Sequence, residues 1–161
     1  LSEKTRRILE PRTTTIKKRL EAIHVLSSEG IPVNAMLAPI IPGINSHEIL
    51  NLAKAVSENG ACSIAFTMVR LNGAIGEIFS NWIKKALPDR ADKVLHQIQE
   101  CHGGNLNDSR FGIRSRGEGK IATQIHDMVR LAKHLNFKDK KFPKLNTELH
   151  EPFKDGQMRL F

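Results

Sequence analysis

The sequence predicts an α/β fold with parallel strands. Two apolar stretches, Val33–Ala38 and Ser63–Arg70, are typical of strands because they are too short and too continuously apolar for surface helices. Their first residues lie 30 positions apart with a helical pattern between them, which is the length of one βαβ unit. Neither stretch alternates cleanly between apolar and polar residues, so we expect both strands to be buried on both faces.

A helix is predicted before the first strand. Threonines at 13–15 offer N-capping hydroxyl groups, and Gly30 ends the pattern. Four apolar residues recur between them at helical spacing: Ile16, Leu20, Ile23 and Leu26. A sheet of two strands has little stability alone, and this helix lacks a strand that would lead into it. We therefore expect the chain to be the C-terminal part of a larger parallel α/β structure whose earlier strands precede Leu1.

The other elements follow in order along the chain. Asn45 and Glu48 have the spacing of a capping box and begin a helix that Asn59-Gly60 ends. Helical patterns cover 75–87, the stretch from Pro88 onward and 121–135. We accordingly divide the chain into the strand units of 1–73, a helical extension of 74–135 with a glycine- and arginine-rich loop at 102–120, and an extended charged tail of 136–161. The tail would pack back through Phe153 and Leu160.

Composition narrows the class of protein. The 161 residues are 40% hydrophobic and 26% charged, as in an ordinary globular domain, and no apolar run has the roughly 18 residues that a membrane helix needs. We expect a cytoplasmic protein with no membrane contact. The formal charge of +8 favours an anionic partner such as nucleic acid, although a solvated basic surface would account for it equally. Cys62 and Cys101 have neither zinc-site nor disulfide-framework spacing.

The segment APIIPGIN at 38–45 leaves the first strand through a stiff corner. Ligands of parallel α/β folds bind beyond the C-terminal ends of the strands, and this corner and Arg70 both occupy such positions. Pro42 fixes one φ angle, Gly43 permits a left-handed conformation with close approach to a ligand, and Asn45 would cap the next helix. The alternatives are a rigid turn without a ligand and, for Arg70, a structural carboxylate partner.

The loop 102–120 is the second candidate site. It places four basic residues among five glycines, namely Arg110, Arg114, Arg116 and Lys120. With the aromatic Phe111, these side chains would contact phosphates or stack on a base. The alternative is a loop ordered internally by salt bridges to Asp108 and Glu118. No catalytic or metal-ligating residue is predicted in the chain.

Three segments together resemble the C-terminal half of a radical SAM protein of the group related to spore photoproduct lyase, often labelled DNA repair photolyase. They are EPRTTTIKKRLEAIHVLSSEGIPVNAMLAPIIPGINSHEI, RLNGAIGEIFSNWIKKALPDRADKVL and GGNLNDSRFGIRSRGEGKIA. The resemblance implies a partial, open TIM-like barrel followed by a mostly helical region. It also implies a [4Fe-4S] cluster held by a C-x3-C-x2-C motif, at which S-adenosylmethionine is cleaved reductively to a 5′-deoxyadenosyl radical.

The resemblance also implies site residues. The corner would lie beside the adenosyl part of S-adenosylmethionine through Ile41, Pro42, Gly43, Ile44 and Asn45. Arg70 and Leu71 match the position after the following strand and would line the adenine side. Arg19 is a candidate partner for the carboxylate of S-adenosylmethionine, with Arg12 as its substitute.

The chain departs from the family in lacking the three-cysteine motif. Both cofactors, S-adenosylmethionine and the [4Fe-4S] cluster, would therefore belong to a full-length protein whose upstream half is the partner of this chain, and this chain alone would be inactive. DNA or another anion is the expected substrate. One alternative is a basic nucleic-acid-binding α/β module without catalysis. Another is an interaction domain without a ligand, which a deep apolar pocket beside Gly43 would disfavour.

Overall fold

The computed structural model describes residues 2–144, 146 and 148, and it confirms an α/β fold with a parallel pair of strands. The elements are α1 (Glu3–Leu9), α2 (Ile16–Ser28), β1 (Asn34–Ile40), a 3-10 turn (Ser46–Glu48), α3 (Ile49–Glu58), β2 (Ser63–Met68), α4 (Ala74–Ala86), α5 (Pro88–Cys101) and α6 (Gly119–Phe137). The contacts predicted for Phe153 and Leu160 lie outside the described residues.

The strands β1 and β2 pair in parallel with α3 as the crossover between them, as the spacing predicts. Asn34 lies opposite Ser63, and Leu37 lies opposite Phe66. The register then shifts before Ile40, where the chain passes through the cis Ala38–Pro39 peptide bond. Both strands therefore end beside the corner and Arg70, so the two predicted ligand positions share one edge of the sheet.

The prediction that both strands are buried on both faces is wrong for β1. Ala35, Leu37 and Ile40 are buried, whereas Asn34, Met36 and Ala38 alternate with them and are exposed, with Met36 at 58%. Among the described residues, α3 and α6 supply the core side chains that pack on the buried face. The strand consequently has a covered face and an open one.

Two hydrophobic clusters form the core. The first joins the sheet to α3 and α6 through residues such as Ile49, Ile64 and Ile125. The second joins the corner after β1 and the end of β2 to α4 and α5, through residues such as Ile44, Ile83 and Ile98. The C-terminal helices thus pack around the ends of the strands.

The connection between α5 and α6 reaches the outer edge of β2 at the C-terminal end of the strand. Met68 N–H donates to the carbonyl of Ser115 over 2.8 Å, and Leu71 N–H donates to the carbonyl of Leu106 over 3.1 Å. His102 is buried in this connection, with Nε2 lying 2.7 Å from the carbonyl oxygen of Val69. The loop therefore closes the C-terminal end of this edge of the sheet, whereas no described strand pairs with the other edge, along β1.

Two local predictions had different outcomes. Thr15 caps α2 by accepting from Lys18 N–H, as predicted. Asn45 makes no capping hydrogen bond, so the capping-box prediction is wrong. Its amide instead closes the corner: Oδ1 accepts from Ile41 N–H over 2.7 Å, and Nδ2 donates to the carbonyl of Pro39 over 3.0 Å.

The helix α1 was not predicted. It is short, and its apolar residues do not form a stripe that indicates a helix. Arg6, only 5% exposed, holds it in place by donating to Glu3 and to the carbonyl of Thr13. These contacts depend on how the chain turns back from α1 into α2, which the helical period of the sequence does not encode.

Candidate functional site

An elongated apolar cavity of about 690 Å³ opens along the free side of β1. We call it the β1 groove. Its floor is the strand from Asn34 to Ile40, and its walls are apolar faces of α2 and α3. The wall residues are Ile16, Leu20 and Ile23 from α2, and Ile49, Leu52 and Val56 from α3. The spacing of each set places its members on one side of the helix.

The mouth of the β1 groove lies where both strands end. Leu9, Asn45, Arg70, Leu71 and Phe79 line it. These residues come from four separate parts of the chain, which the parallel pairing and the helical packing bring together. The mouth therefore occupies the place where parallel α/β folds bind ligands.

Arg70 brings positive charge to the mouth. Its side chain is half-buried, and within residues 2–144 no hydrogen bond or ion pair holds it. Arg19 also lines the groove but donates to a carboxylate oxygen of Glu10 over 2.6 Å, a contact that lowers the pKa of Glu10. Arg12 is exposed in the turn between α1 and α2 and does not line the groove. Arg70 is therefore the better placed cation for an anionic ligand.

The residues of the corner divide between the groove and the core. Ile41 and Asn45 line the groove, and Ile41 also packs with Ile44 in the second core cluster, while Pro42 is fully buried. Gly43 has a φ of +74°, and a Cβ there would lie 2.6 Å from Oε1 of Gln97. We expected Gly43 to let a ligand approach the backbone closely. The side chain of Gln97 from α5 occupies that position instead. Adenine contacts by these residues stay a prediction.

Arg110 is held inside its own loop. Its guanidinium donates to Asp108 over 2.6 Å and to Glu118 over 2.5 Å. The hydrogen bonds from Arg110 lower the pKa of Asp108 to about 2. The predicted alternative, a loop ordered by salt bridges to these two carboxylates, is confirmed for Arg110, so this residue is already neutralised.

The other basic residues of the loop are available to a partner. Arg114, Arg116 and Lys120 are exposed, and no described carboxylate pairs with them. Phe111 is 93% exposed, and Cζ of Arg114 lies 6.0 Å from the centroid of its ring. The loop therefore presents an aromatic face with positive charge beside it.

A polar pocket of about 400 Å³ lies within the loop 102–120 and was not predicted. His102, Asn107, Asp108, Arg110 and Glu118 are among its lining residues. Nδ1 of His102 and Oδ1 of Asn107 are buried and have no hydrogen-bond partner among the described residues. The sequence shows these residues only as part of a polar loop, because their convergence depends on the turns at Gly103 and Gly104.

The cysteines do not fit an iron–sulfur cluster. Cys101 is buried in the first core cluster, and burial raises the pKa of its thiol to about 11. Cys62 lies just before β2, at the opposite end of the sheet from the mouth. Across the part of the chain that the structure describes, no three side chains of the metal-binding types lie together. Cluster binding would require thiolates that this chain does not supply.

Comparison with family models, with curated proteins and with solved structures found no match for this chain. Within residues 2–144, none of the helices has the length and apolar character needed to cross a membrane.

Proposed function

We propose that this chain is the C-terminal part of a cytoplasmic radical SAM enzyme and forms one wall of its S-adenosylmethionine site. The observation that carries the proposal is the β1 groove, whose mouth lies at the C-terminal ends of two parallel strands beside Arg70, a cation that pairs with no described carboxylate. The sheet would then be one portion of a partial, open barrel.

The chemistry of the mouth suits the nucleoside end of such a cofactor. Apolar walls accept the face of an adenine ring, and a cavity of about 690 Å³ lies within the range of small-molecule sites. The only anionic group of S-adenosylmethionine is the carboxylate of its methionine part, and Arg70 would bind that carboxylate through charge-assisted hydrogen bonds. The thiolates for a cluster would come from the upstream half of the same polypeptide, and this chain would contribute binding and orientation only.

Arg70 provides the test. In the longer polypeptide, purified without oxygen, equilibrium dialysis with labelled S-adenosylmethionine should show that Arg70→Ala weakens binding by about tenfold or more, as expected for loss of a charged hydrogen bond. Arg130→Ala is the matched control, because Arg130 is exposed on α6 and pairs with Asp127. Equal affinities of the two variants, or an upstream sequence without a C-x3-C-x2-C motif, would contradict the proposal.

Nucleic-acid binding is the second candidate function, and the exposed Phe111 beside Arg114 favours it. Aromatic rings stack on bases, and neighbouring cations contact phosphates. The two functions are compatible if the substrate of the enzyme is DNA. The third alternative, an interaction domain without a ligand, also stays a prediction, since the groove reaches Ile41 and Asn45 but not Gly43.

A salt titration tests the second candidate. Anisotropy of a labelled single-stranded oligonucleotide should show log affinity falling linearly with log salt, with a slope of about −0.7 for each phosphate contact. Phe111→Ala and Arg114→Ala should each weaken binding, and Lys54→Ala should not, because Lys54 is exposed on α3 beside Glu58. Salt-independent binding, or loop variants that bind like the original chain, would rule this function out.

A further inference from the structure

We propose that the polar pocket within the loop 102–120 binds a small organic cation through its ammonium group. The ligand would donate N–H hydrogen bonds to buried acceptors of the pocket and pair with a carboxylate at its rim. The pocket shares no lining residue with the β1 groove. This site therefore goes beyond the proposed function and does not depend on the binding of S-adenosylmethionine.

The first argument is the imidazole of His102, which lines the pocket and is only 2% exposed. Its Nε2 lies 2.7 Å from the carbonyl oxygen of Val69, and because a carbonyl only accepts, Nε2 carries the hydrogen. In the neutral ring Nδ1 is then an acceptor, and it faces away from Val69 because the two ring nitrogens point in different directions. Nδ1 is buried and has no partner among the described residues. A ligand N–H group would satisfy it.

The second argument is that a second unpaired acceptor belongs to the same pocket. In the described part of the chain, three buried side-chain atoms lack a hydrogen-bond partner, and two of them are Nδ1 of His102 and Oδ1 of Asn107. Folded proteins rarely leave such atoms unpaired. Both atoms are out of contact with solvent, so side chains of the rim must shift for a ligand to reach them, as is common on binding. A ligand with several N–H donors would pair with both acceptors.

The third argument is the charge of the pocket. Asp108 and Glu118 line it, and Arg110, the one guanidinium or ammonium group among its lining residues, pairs with both. Hydrogen bonds from Arg110 are the main cause that lowers the pKa of Asp108, and His102 adds a smaller electrostatic effect, so the imidazole lies near this carboxylate. Two carboxylates and one guanidinium leave a local excess of negative charge in a chain whose formal charge is +8. The pocket therefore favours a cation over an anion.

An ammonium group suits this pocket better than a metal ion does. Mg²⁺ and Ca²⁺ prefer oxygen ligands to imidazole. Zn²⁺ binds imidazole but takes three or more protein ligands, and no three side chains of the metal-binding types lie together within the described residues. An ammonium group has three N–H donors and no acceptor, which matches an imidazole nitrogen, an amide oxygen and a carboxylate. The volume of about 400 Å³ leaves space for an attached carbon chain.

Titration of the 161-residue chain with n-butylammonium chloride, followed by NMR, tests the site. We expect saturable binding with a Kd on the order of 1 mM, and the ¹⁵N resonance of Nδ1 of His102 should shift with the same midpoint. Tetramethylammonium is the control probe, because it has the same charge but no N–H donor, and it should bind at least about tenfold more weakly. Equal binding of the two cations, or no saturable shift at His102, would overturn the proposal. Saturable binding of inorganic phosphate at His102 instead would also overturn it, by showing an anion site.

A matched pair of substitutions gives a second result without replacing a buried residue. Glu118→Gln removes one negative charge from the rim and should weaken n-butylammonium binding by about threefold or more. Glu58→Gln is the control, because Glu58 is also exposed but pairs with Lys54 on α3, and it should change the affinity by less than about 1.5-fold. An effect of Glu118→Gln no larger than that of Glu58→Gln would overturn the proposal.

Failure of this site and failure of the proposed function are distinguishable. If n-butylammonium binds as expected while Arg70→Ala leaves S-adenosylmethionine binding unchanged in the longer polypeptide, only the proposed function is lost and the pocket stands. If Arg70→Ala weakens S-adenosylmethionine binding while n-butylammonium produces no shift at His102, only the inference about the pocket is overturned.

Discussion

Asp108 links the order of the loop to pH. Because hydrogen bonds from Arg110 lower its pKa to about 2, the folded state favours the carboxylate, and this stability is present above the unfolded pKa of about 3.9. It should fade as the pH falls from about 4 toward 2. Urea unfolding at pH 7 and at pH 3 should show a larger drop for the original chain than for Asp108→Asn. Identical drops would contradict the assignment.

Gly43 is a residue where conformation and packing act together. Its φ is +74°, and an added Cβ would press on Gln97 and Val94. We expect Gly43→Ala to destabilise the chain by about 2–4 kcal/mol, from a backbone cost of about 1–2 kcal/mol and overpacking of similar size. Gly30→Ala is the control, since φ there is +75° with open space around it, and it should cost only the backbone term. Chemical denaturation would measure both, and equal losses would refute the packing term.

Predictions for single residues succeeded where the residue type and its immediate neighbours in the sequence determine the local structure. Thr15 caps α2 as its position before an apolar stripe indicates. Arg70 lines the β1 groove, and its contact with S-adenosylmethionine stays a prediction. The burial of Pro42 and Ile44 and the approach of Gln97 to Gly43 depend on where α5 packs, and this is settled by contacts about 50 residues away along the chain.

The helix α6 supplies much of the covered face of the sheet. Ile125 is 1% exposed in the first core cluster, whereas Leu131 on the same helix is 47% exposed. Ile125→Ala should therefore cost about 2–5 kcal/mol, and Leu131→Ala about 0.5 kcal/mol or less beyond its change in helix propensity. Equilibrium unfolding in urea provides the measurement. Similar losses for the two would mean that α6 does not pack on the sheet as described.

Most elements could be predicted because their hydrophobic periods are strong. The strands and the helices α2 to α6 fall within a few residues of their predicted positions. The burial of β1 could not be predicted from its apolar run, because Ala38 and Met36 are apolar and yet lie on the open face. An apolar residue in a strand indicates that some chain covers that face of the sheet. It does not indicate whether the covering chain belongs to the described residues.

Iron–sulfur reconstitution is a test on the whole chain. Incubated anaerobically with ferrous iron and sulfide, the 161-residue chain should develop no stoichiometric cluster absorbance, since its two thiols lie apart and that of Cys101 is buried. Cys101→Ala should leave the result unchanged. A stoichiometric cluster that disappears in Cys62→Ala would contradict the geometry described for the two cysteines.

At the scale of the molecule, the parallel pair and its crossover helix follow from the sequence because their spacing is characteristic. The partial barrel rests on the resemblance and stays a proposal. The two-cluster core could not be predicted, since it depends on α4 and α5 folding around the strand ends through Ile83 and Ile98.

The loop between α5 and α6, which lies beside the end of β2, affects how further chains can add to the sheet. The carbonyl of Ser115 occupies the outer side of β2 at Met68, and the carbonyl of Leu106 binds Leu71 just beyond the strand, so the C-terminal end of β2 is closed to a further chain. Along β1, by contrast, no described strand pairs with the outer side at any position. The exposed β1 border is therefore the place where the 161-residue chain, kept alone at high concentration, would first self-associate into aggregates.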